Sequence, residues 1–540
     1  MAFSTFSILT TLSLAFTIYK LISFIRFYNH ARQTGFPVYV TPILSKSIPW
    51  MILGPTLQPQ FQKYLPNFIY ERLEIVTHGW EFRNKRKYHD KLGDTFVVVS
   101  PDEVSIWCAE PELANGILSR RIDFPPAPIV AKILGFFGPN VFCANGDEWK
   151  RHRRMFAMNL DERISRTVWT ESIEQARAMR EYILTHPGNE TLNCLKSVAI
   201  NVISRAGFSQ KEPWAPNLRR HSGSTKQGKA AYFEALLLTT QFFMEAAMLP
   251  PRVLQMPFMP PGVRKLGFHM GRVSGYVKEL LDEERQAAKQ GGVAETRRSN
   301  FLTLMLQLSD EDRRSGQEGF SLSDEEISGN NGEYDGYAVT FLAAYPEWQD
   351  WFREELQGLD LESAGWKYED VYSKCRRTLA LMLETLRLLP PVLHTTRACL
   401  EPQILTGPRG DHLLTPPMEV YACQLSIHLN PKYWGPDASE FRPSRWIDES
   451  GDIITPPKGT YLPWSGGPRI CPGLKMSEVE FVATMATLFR SARVDALATG
   501  GIERPEDVRR RLLELVNDSV SKLALQIRNP EGVQLKWTAV

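Results

Sequence analysis

"LPWSGGPRICPGLKMSEVE", residues 462–480, sets one cysteine, Cys471, in a Gly/Pro-rich loop just after Arg469, and a helix-forming run begins directly behind it. No second cysteine stands nearby, which argues against a zinc knuckle or a local disulfide. Three roles are open at this point: a buried core thiol, a nucleophile, or a lone metal ligand. The rest of the chain has to discriminate between them.

The other six cysteines (108, 143, 194, 375, 399 and 423) are scattered, with no CxxC pair. An odd, unclustered set fits reduced thiols facing the cytosol better than a disulfide framework. A formal net charge of +2, with no basic run interleaved with aromatics, excludes nucleic acid as the expected partner. The N-terminus is less neutral. "FSTFSILTTLSLAFTIYKLISFI", from Phe3 to Ile25, is apolar or small-polar and broken only by Lys20. At about 1.5 Å per residue, a helix of this length just crosses a hydrocarbon core of about 30 Å. A cleaved signal peptide would carry its basic residues ahead of the apolar run. Here Lys20, Arg26, His30 and Arg32 lie within or behind it. Residues 1–32 therefore read as a retained, single-pass signal anchor, with the downstream chain held on the cytoplasmic face by the positive-inside rule.

Prolines 37, 42, 49, 55, 59 and 66 mark residues 33–66 as an irregular linker. "DTFVVVSPDEVSIWCAEP" (94–111) reads as two β runs around a turn, with a helix starting near Pro111. Beyond residue 145 amphipathic helical patterns dominate, for example 166–184 and 269–288. A late hairpin is expected in "LALQIRNPEGVQLKW" (523–537). "QAAKQGGVAETRRSN" and 309–336 are the most loop-like stretches. The fold class is mainly α with small β-sheets, and 67–540 is expected to form one large catalytic domain.

"RTLALMLETLRLLPP" (377–391) is an apolar helix stopped by Pro390-Pro391. Glu384 and Arg387 lie at i and i+3 on one face. Apolar neighbours nearly all round imply burial, and a buried ion pair needs a further polar partner. Arg445, in "EFRPSRW" (440–446), is the candidate. Glu-x-x-Arg, then Phe-x-Pro-x-Arg-Trp, then Trp464-Ser465-Gly466-Gly467-Pro468-Arg469-Ile470-Cys471-Pro472-Gly473 together resemble the cytochrome P-450 superfamily, the haem-thiolate monooxygenases. Each motif alone is weak to moderate; the three in this order, behind an anchor, are specific. Trp464 stands where the family more often has Phe.

The resemblance implies haem b, with Cys471 as the axial thiolate ligand of its iron. A thiolate donates electron density that favours O–O cleavage. Trp464 is expected as an aromatic shield beside the sulfur, and Gly466, Gly467 and Gly473 as positions where the backbone approaches the porphyrin. Arg469, Trp149 and Arg153 of "GDEWKRHRRMF", and Arg397 after "PPVLHTT" are the expected propionate contacts. Glu384, Arg387 and Arg445 are the expected structural network. The implied reaction inserts one atom of O2 into a small lipophilic substrate, in secondary metabolism or xenobiotic oxidation, at the endoplasmic reticulum membrane. Electrons would come from NADPH through a separate flavoprotein reductase, since the chain holds no recognisable FMN, FAD or NADPH module. Segment 122–143, with Ile129, Leu134, Phe136 and Phe137, and the Pro-broken segment 248–267 are the apolar candidates for a substrate pocket and for membrane contact.

One part of the pattern is missing. The family carries a long distal helix with an Ala/Gly-Gly-x-Asp/Glu-Thr-Thr-like segment, whose acid–alcohol pair delivers protons during oxygen activation. "LSDEEISGN" (322–330) and "YAVTFLAAYPEWQDWFREEL" (337–356) match its flanks, with only "NGEYDG" (331–336) between them. About three turns are absent, roughly 15 Å of helix at about 1.5 Å per residue. The expectation is a truncated distal region (323–346), the acid–alcohol pair being deleted between Asn330 and Tyr337, so no catalytic residue is assigned there. Glu333, Asp335 and Thr340 are the local substitutes, although Thr340 lies close to the helix end at Pro346. The expectation is that the gap reflects a skipped exon or a misplaced exon–intron boundary, the intact gene encoding a working enzyme. The alternative is a non-catalytic haem-protein relic or mis-spliced product.

Overall fold

The computed structural model describes residues 2–134, 140–208, 331–359, 365–498 and 504–540 continuously, with parts of 211–279 between them. These fall into two compact units.

The first unit comprises Met1–Val130, Val392–Ala438 and Pro456–Ile470. It opens with helix α1 (Ala2–Gln33), whose apolar side chains from Ile8 to Ile25 are largely exposed. Thr10–Gln33 is the one span among the described residues long and apolar enough to cross a bilayer. The last turns of α1 return to the protein: Phe24, Phe27 and Tyr28 pack on the unit's core and Ala31 is fully buried. Residues 33–66 do not form the irregular linker expected of them. Strand β1 (Val38–Val40) lies there, and helix α2 (Ile48–Tyr64) runs through Pro55 and Pro59. Each interior proline forfeits a backbone hydrogen bond. Tertiary contacts offset that loss: Trp50 Nε1 donates to Val76 O (2.9 Å), and its ring stacks on Phe61. Helix α3 (Asn67–Glu74) follows.

Strands β2 (Thr95–Val99) and β3 (Val104–Cys108) pair antiparallel across the Ser-Pro-Asp turn, and helix α4 (Pro111–Ser119) starts where Pro111 fixes its first turn. Every residue of β2 and β3 is buried, so both read as continuous rather than alternating apolar runs. Four later strands complete the unit: β4 (Thr395–Cys399), β5 (Gln403–Gly407), β6 (Gly410–Leu414) and β7 (Met418–Ala422). The main sheet has the order β1-β2-β3-β7-β4, and β5–β6 form a separate hairpin.

The second unit comprises Ala131–Pro391, Ser439–Thr455 and Cys471–Val540. Its longer helices among the described residues include α5 (Gly146–Asn159), α6 (Glu162–Ile183), α7 (Thr191–Phe208), α8 (Asn331–Ala344), α9 (Pro346–Gln357), α10 (Arg376–Leu388), α11 (Leu474–Phe489) and α12 (Pro505–Asn517). The Asp161 carboxylate caps α6 by accepting from the backbone N–H of Arg163 and Ile164. Helix α11 is buried almost all round, packed against α6, α8 and α10. The hairpin expected at 523–537 does not form. Strand β10 (Leu525–Ile527) pairs with β9 (Ser519–Ser521), while β11 (Leu535–Ala539) pairs with β8 (Ala492–Ala496). A 3-10 turn at Pro530–Gly532 separates β10 from β11, and each pairs with a strand other than its chain neighbour. Most of 269–288, of the two loop-like stretches and of the distal flank 322–330 lies outside the described residues.

Candidate functional site

Within the first unit, the run up to the cysteine is pinned from several sides. Leu462 N–H donates to His428 Nε2 (2.8 Å), and Thr395 Oγ1 donates to Ser465 Oγ (3.1 Å). Ser465 holds a left-handed φ of 64°, unusual for a residue with a Cβ, and the Thr395 hydroxyl helps keep it there. Gly467 also has φ 64°, and a Cβ on it would stand 2.3 Å from Leu118 O. A Cβ on Gly466 would meet Leu118 and Leu462 side chains at 3.3 and 3.2 Å. Gly467 is therefore demanded by the close approach of this loop to α4, a reason different from the porphyrin contact expected of it, whereas at Gly466 a Cβ would need only small shifts of two leucine side chains. Trp464 lies edge-on to Tyr461, ring centroids 6.1 Å apart. Arg469 is half-buried in the final turn of this segment.

Arg397 is the informative cation of this unit. It sits on β4, paired through the backbone to Val420 of β7, and only 7% of it is exposed. Its Nη1 donates to Thr396 O (3.2 Å), while its buried Nε finds no acceptor among the described residues. Burial pulls its pKa down to about 10. A buried guanidinium held only by a neutral carbonyl is costly and calls for an anion. That deficit fits a carboxylate-bearing cofactor.

Within the second unit, Cys471 stands half-buried ahead of α11. The amides of a helix start favour an anion in front of them, which lowers the cost of a thiolate. A Cβ on Gly473 would lie an ordinary 3.8 Å from Cys471 Sγ, so sterics alone do not require glycine there. Arg153 of α5 shares this environment: burial lowers its pKa, and the Cys471 charge counteracts that. A cation in this field favours the anionic form of the sulfur, a relation the sequence spacing did not disclose. Trp149, one turn earlier on α5, is buried. Cys108, Cys194, Cys375, Cys399 and Cys423 are buried, and burial pushes all five thiols up, Cys108 and Cys194 to about 12. These five are inert core thiols; Cys143 and Cys471 are half-buried.

The ionic network is also built inside this unit. Glu384 is fully buried and accepts from Arg387 Nε and Nη2 (both 2.8 Å) and from Arg445 Nε (2.9 Å). Two further donors were missed from sequence, Trp446 Nε1 (3.0 Å) and the Arg442 backbone N–H (2.8 Å). Arg387 Nη2 also donates to Glu440 O (3.0 Å). Trp446 directly follows Arg445 in the Phe-x-Pro-x-Arg-Trp motif, which was the available signal.

The distal substitutes are committed elsewhere. Helix α8 forms from Asn331 despite its Asn and Gly residues, because its length is buried. Glu333 pairs with Lys196 of α7 (2.9 Å), and Thr340 Oγ1 donates to Gly336 O (2.7 Å). Asp335 is fully buried beside Glu480 of α11. No acid–alcohol pair is assembled from these three. Of the pocket candidates, Ile129 and Leu134 are half-buried, while Phe136 and Phe137 lie outside the described residues.

Residues 59–334 and 336–513 match the family model described as Cytochrome P450. The match breaks at Asp335, within the segment where the distal pattern is short. The chain is 30% identical to the "Phomenoic acid biosynthesis cluster cytochrome P450 monooxygenase" of Leptosphaeria maculans, over 94% of both chains. It is 26% identical to "Cytochrome P450 monooxygenase prx9" of Penicillium rubens and to "Cytochrome P450 monooxygenase ORF6" of Penicillium roqueforti, in each case over 90% of this chain and 91% of the relative.

Proposed function

The chain belongs to the cytochrome P450 family, and from that premise we propose that Cys471 is the haem-iron ligand of a monooxygenase acting on a small lipophilic molecule. Haem, when bound, supplies the redox chemistry of oxygen activation, which a thiolate ligand favours. The protein's part is to bind, orient and balance charge. Cys471 is offered as an anion by Arg153 and by the start of α11. Arg397, Arg469, Arg153 and Trp149 would hold the two propionates, and Trp464 would cover the sulfur. Glu384, Arg387 and Arg445 keep α10 fixed without touching the reaction. The observation that carries the assignment is the half-buried Cys471 in the field of Arg153, set against five thiols that burial keeps neutral.

The biosynthetic relative supports a substrate of fungal secondary metabolism, and the apolar Ile129 and Leu134 support a lipophilic one. Electrons reach this family from a redox partner; a separate NADPH-dependent flavoprotein reductase is our reading for this chain. The exposed apolar length of α1, followed by Arg26 and Arg32, supports a single-pass anchor in the endoplasmic reticulum with the units on the cytoplasmic face.

The test is the carbon monoxide difference spectrum of the dithionite-reduced full chain. The red-shifted Soret band of a thiolate-ligated haem is expected, and Cys471→His should abolish it. Absence of the band from the unaltered chain overturns the assignment.

A further inference from the structure

Strand β7 ends at Ala422, and the chain turns at once into a five-residue helix, Gln424–His428, buried along its whole length. Gln424 and His428 stand one turn apart on one face of it. Both act on the run that leads to Cys471. His428 Nε2 accepts from the Leu462 N–H (2.8 Å). Gln424 works through one intermediary: its Nε2 donates to Thr395 Oγ1 (3.0 Å), and Thr395 Oγ1 donates to Ser465 Oγ (3.1 Å). The two points held are themselves joined, since Ser465 N–H donates to Leu462 O (2.9 Å). The turn from Leu462 to Ser465 is thus gripped at both ends.

Packing alone does not account for a glutamine at position 424. The residue is 1% exposed, and its Oε1 finds no donor among the described residues. A buried acceptor left unmade destabilises the fold, and a leucine would avoid that loss. What the amide supplies is direction. A hydroxyl has one proton to give and two lone pairs to receive with. With Gln424 Nε2 on a lone pair of Thr395, the single Thr395 proton is turned onto Ser465. Ser465 is where such a hold matters, because its φ of 64° is disfavoured for a residue with a Cβ. Strand register brings the pair together: Thr395 of β4 lies opposite Ala422 of β7, and Leu425 N–H donates to Leu393 O (3.3 Å).

We propose that Gln424 and Thr395 are positioning residues for the cysteine loop. Together they hold Ser465 in its left-handed turn, six residues before Cys471, and so fix the direction in which the chain sets out through Gly466 and Gly467. Without the relay the Ser465 backbone is free to relax toward the ordinary region of φ, and every residue after it swings with that change. That the sulfur so presented ligates haem iron rests on the function proposed above; the set of the loop does not.

The test uses the full chain and three variants. Thr395→Val removes the hydroxyl at nearly constant shape, Gln424→Leu removes the amide, and Thr395→Ser keeps the relay. In the haem-free chain, hydrogen exchange on peptides covering residues 462–470 should quicken about fivefold in the first two, the equivalent of one hydrogen bond, and stay near the parent in Thr395→Ser. Gln424→Leu should melt no lower than the parent, because an unsatisfied buried acceptor goes with the amide. In the haem-loaded chain, the reduced carbon monoxide spectrum of Thr395→Val and Gln424→Leu should move intensity from the red-shifted thiolate band to the blue-shifted one, and Thr395→Ser should restore it. Unchanged exchange at 462–470 in both disrupted variants overturns the proposal. So does faster exchange spread evenly over the first unit, a failure of Thr395→Ser to restore it, or an unmoved band ratio where the parent shows the thiolate band. A parent without that band overturns the haem reading instead, and the exchange result alone then decides whether Gln424 and Thr395 set the loop.

Discussion

Replacing Glu384 by glutamine tests whether the buried cage is what keeps α10 in place. The side chain keeps its shape, but one acceptor oxygen becomes an N–H2 donor. On the Oε2 side that donor confronts Arg387 Nε and Trp446 Nε1; on the Oε1 side it confronts Arg387 Nη2, Arg445 Nε and the Arg442 N–H. At least two hydrogen bonds are lost in either orientation. Arg387, with no exposed surface, loses the charge of Glu384. Removing one partner of such a pair costs about 3–5 kcal/mol. A domain's whole stability is about 5–15 kcal/mol. The variant should therefore raise the opening constant around α10 by about two to four powers of ten. Hydrogen exchange on peptides covering Arg376–Leu388 reads that locally, without requiring two-state unfolding of so long a chain. The exposed Glu449→Gln is the control and should stay within about 0.5 kcal/mol. A Glu384→Gln effect smaller than about 1 kcal/mol would refute the reasoning, because the cage would then be decoration on a helix held by its leucines.

Gly467→Ala should destabilise the first unit by about 1–3 kcal/mol in denaturant titration, since it combines a left-handed backbone with a Cβ placed 2.3 Å from Leu118 O. Arg397→Leu relieves an underpaired buried cation, so thermal stability without haem should hold or rise while the haem-to-protein absorbance ratio falls; a simple loss of both would mean the arginine is structural. Burial depresses the His89 pKa to about 4, so the folded state resists a proton that the unfolded chain accepts near 6.5. Its contribution is present above about pH 6.5 and is lost as pH falls toward about 4, and His89→Phe should flatten that acid limb in pH-dependent unfolding. Gln349→Leu breaks contacts to Leu342 O (2.8 Å), Val494 O (2.7 Å) and Val494 N–H (3.0 Å), and exchange at β8 should rise by at least tenfold.

Where the chain was legible, a local pattern and a tertiary requirement coincided. Glu384, Arg387 and Arg445 could be linked because a charged pair on an apolar helix has to be answered by another polar group, and the Trp446 indole lay one residue beyond the answer found. Cys471 could be set apart from six other thiols because glycines and prolines crowd around it. Even so, the reason for Gly467 was invisible, since Leu118 is remote in sequence. The errors share one cause. Proline in α2, asparagine and glycine at the start of α8, and an Asn-Pro-Glu-Gly turn beyond β10 were each weighed by local propensity, which is worth about 1 kcal/mol per glycine and about 3 per proline. Burial along a packed helix offsets such terms, at roughly 25 cal/mol per Å2 of apolar surface removed from water. The same force explains Asp335. Once α8 is drawn into its slot by Tyr337, Ala338, Val339 and Leu342, all buried, the acid two residues before Tyr337 has to go in with them. There burial first, and the charge of Glu480 second, hold its carboxyl well above the usual carboxylate range.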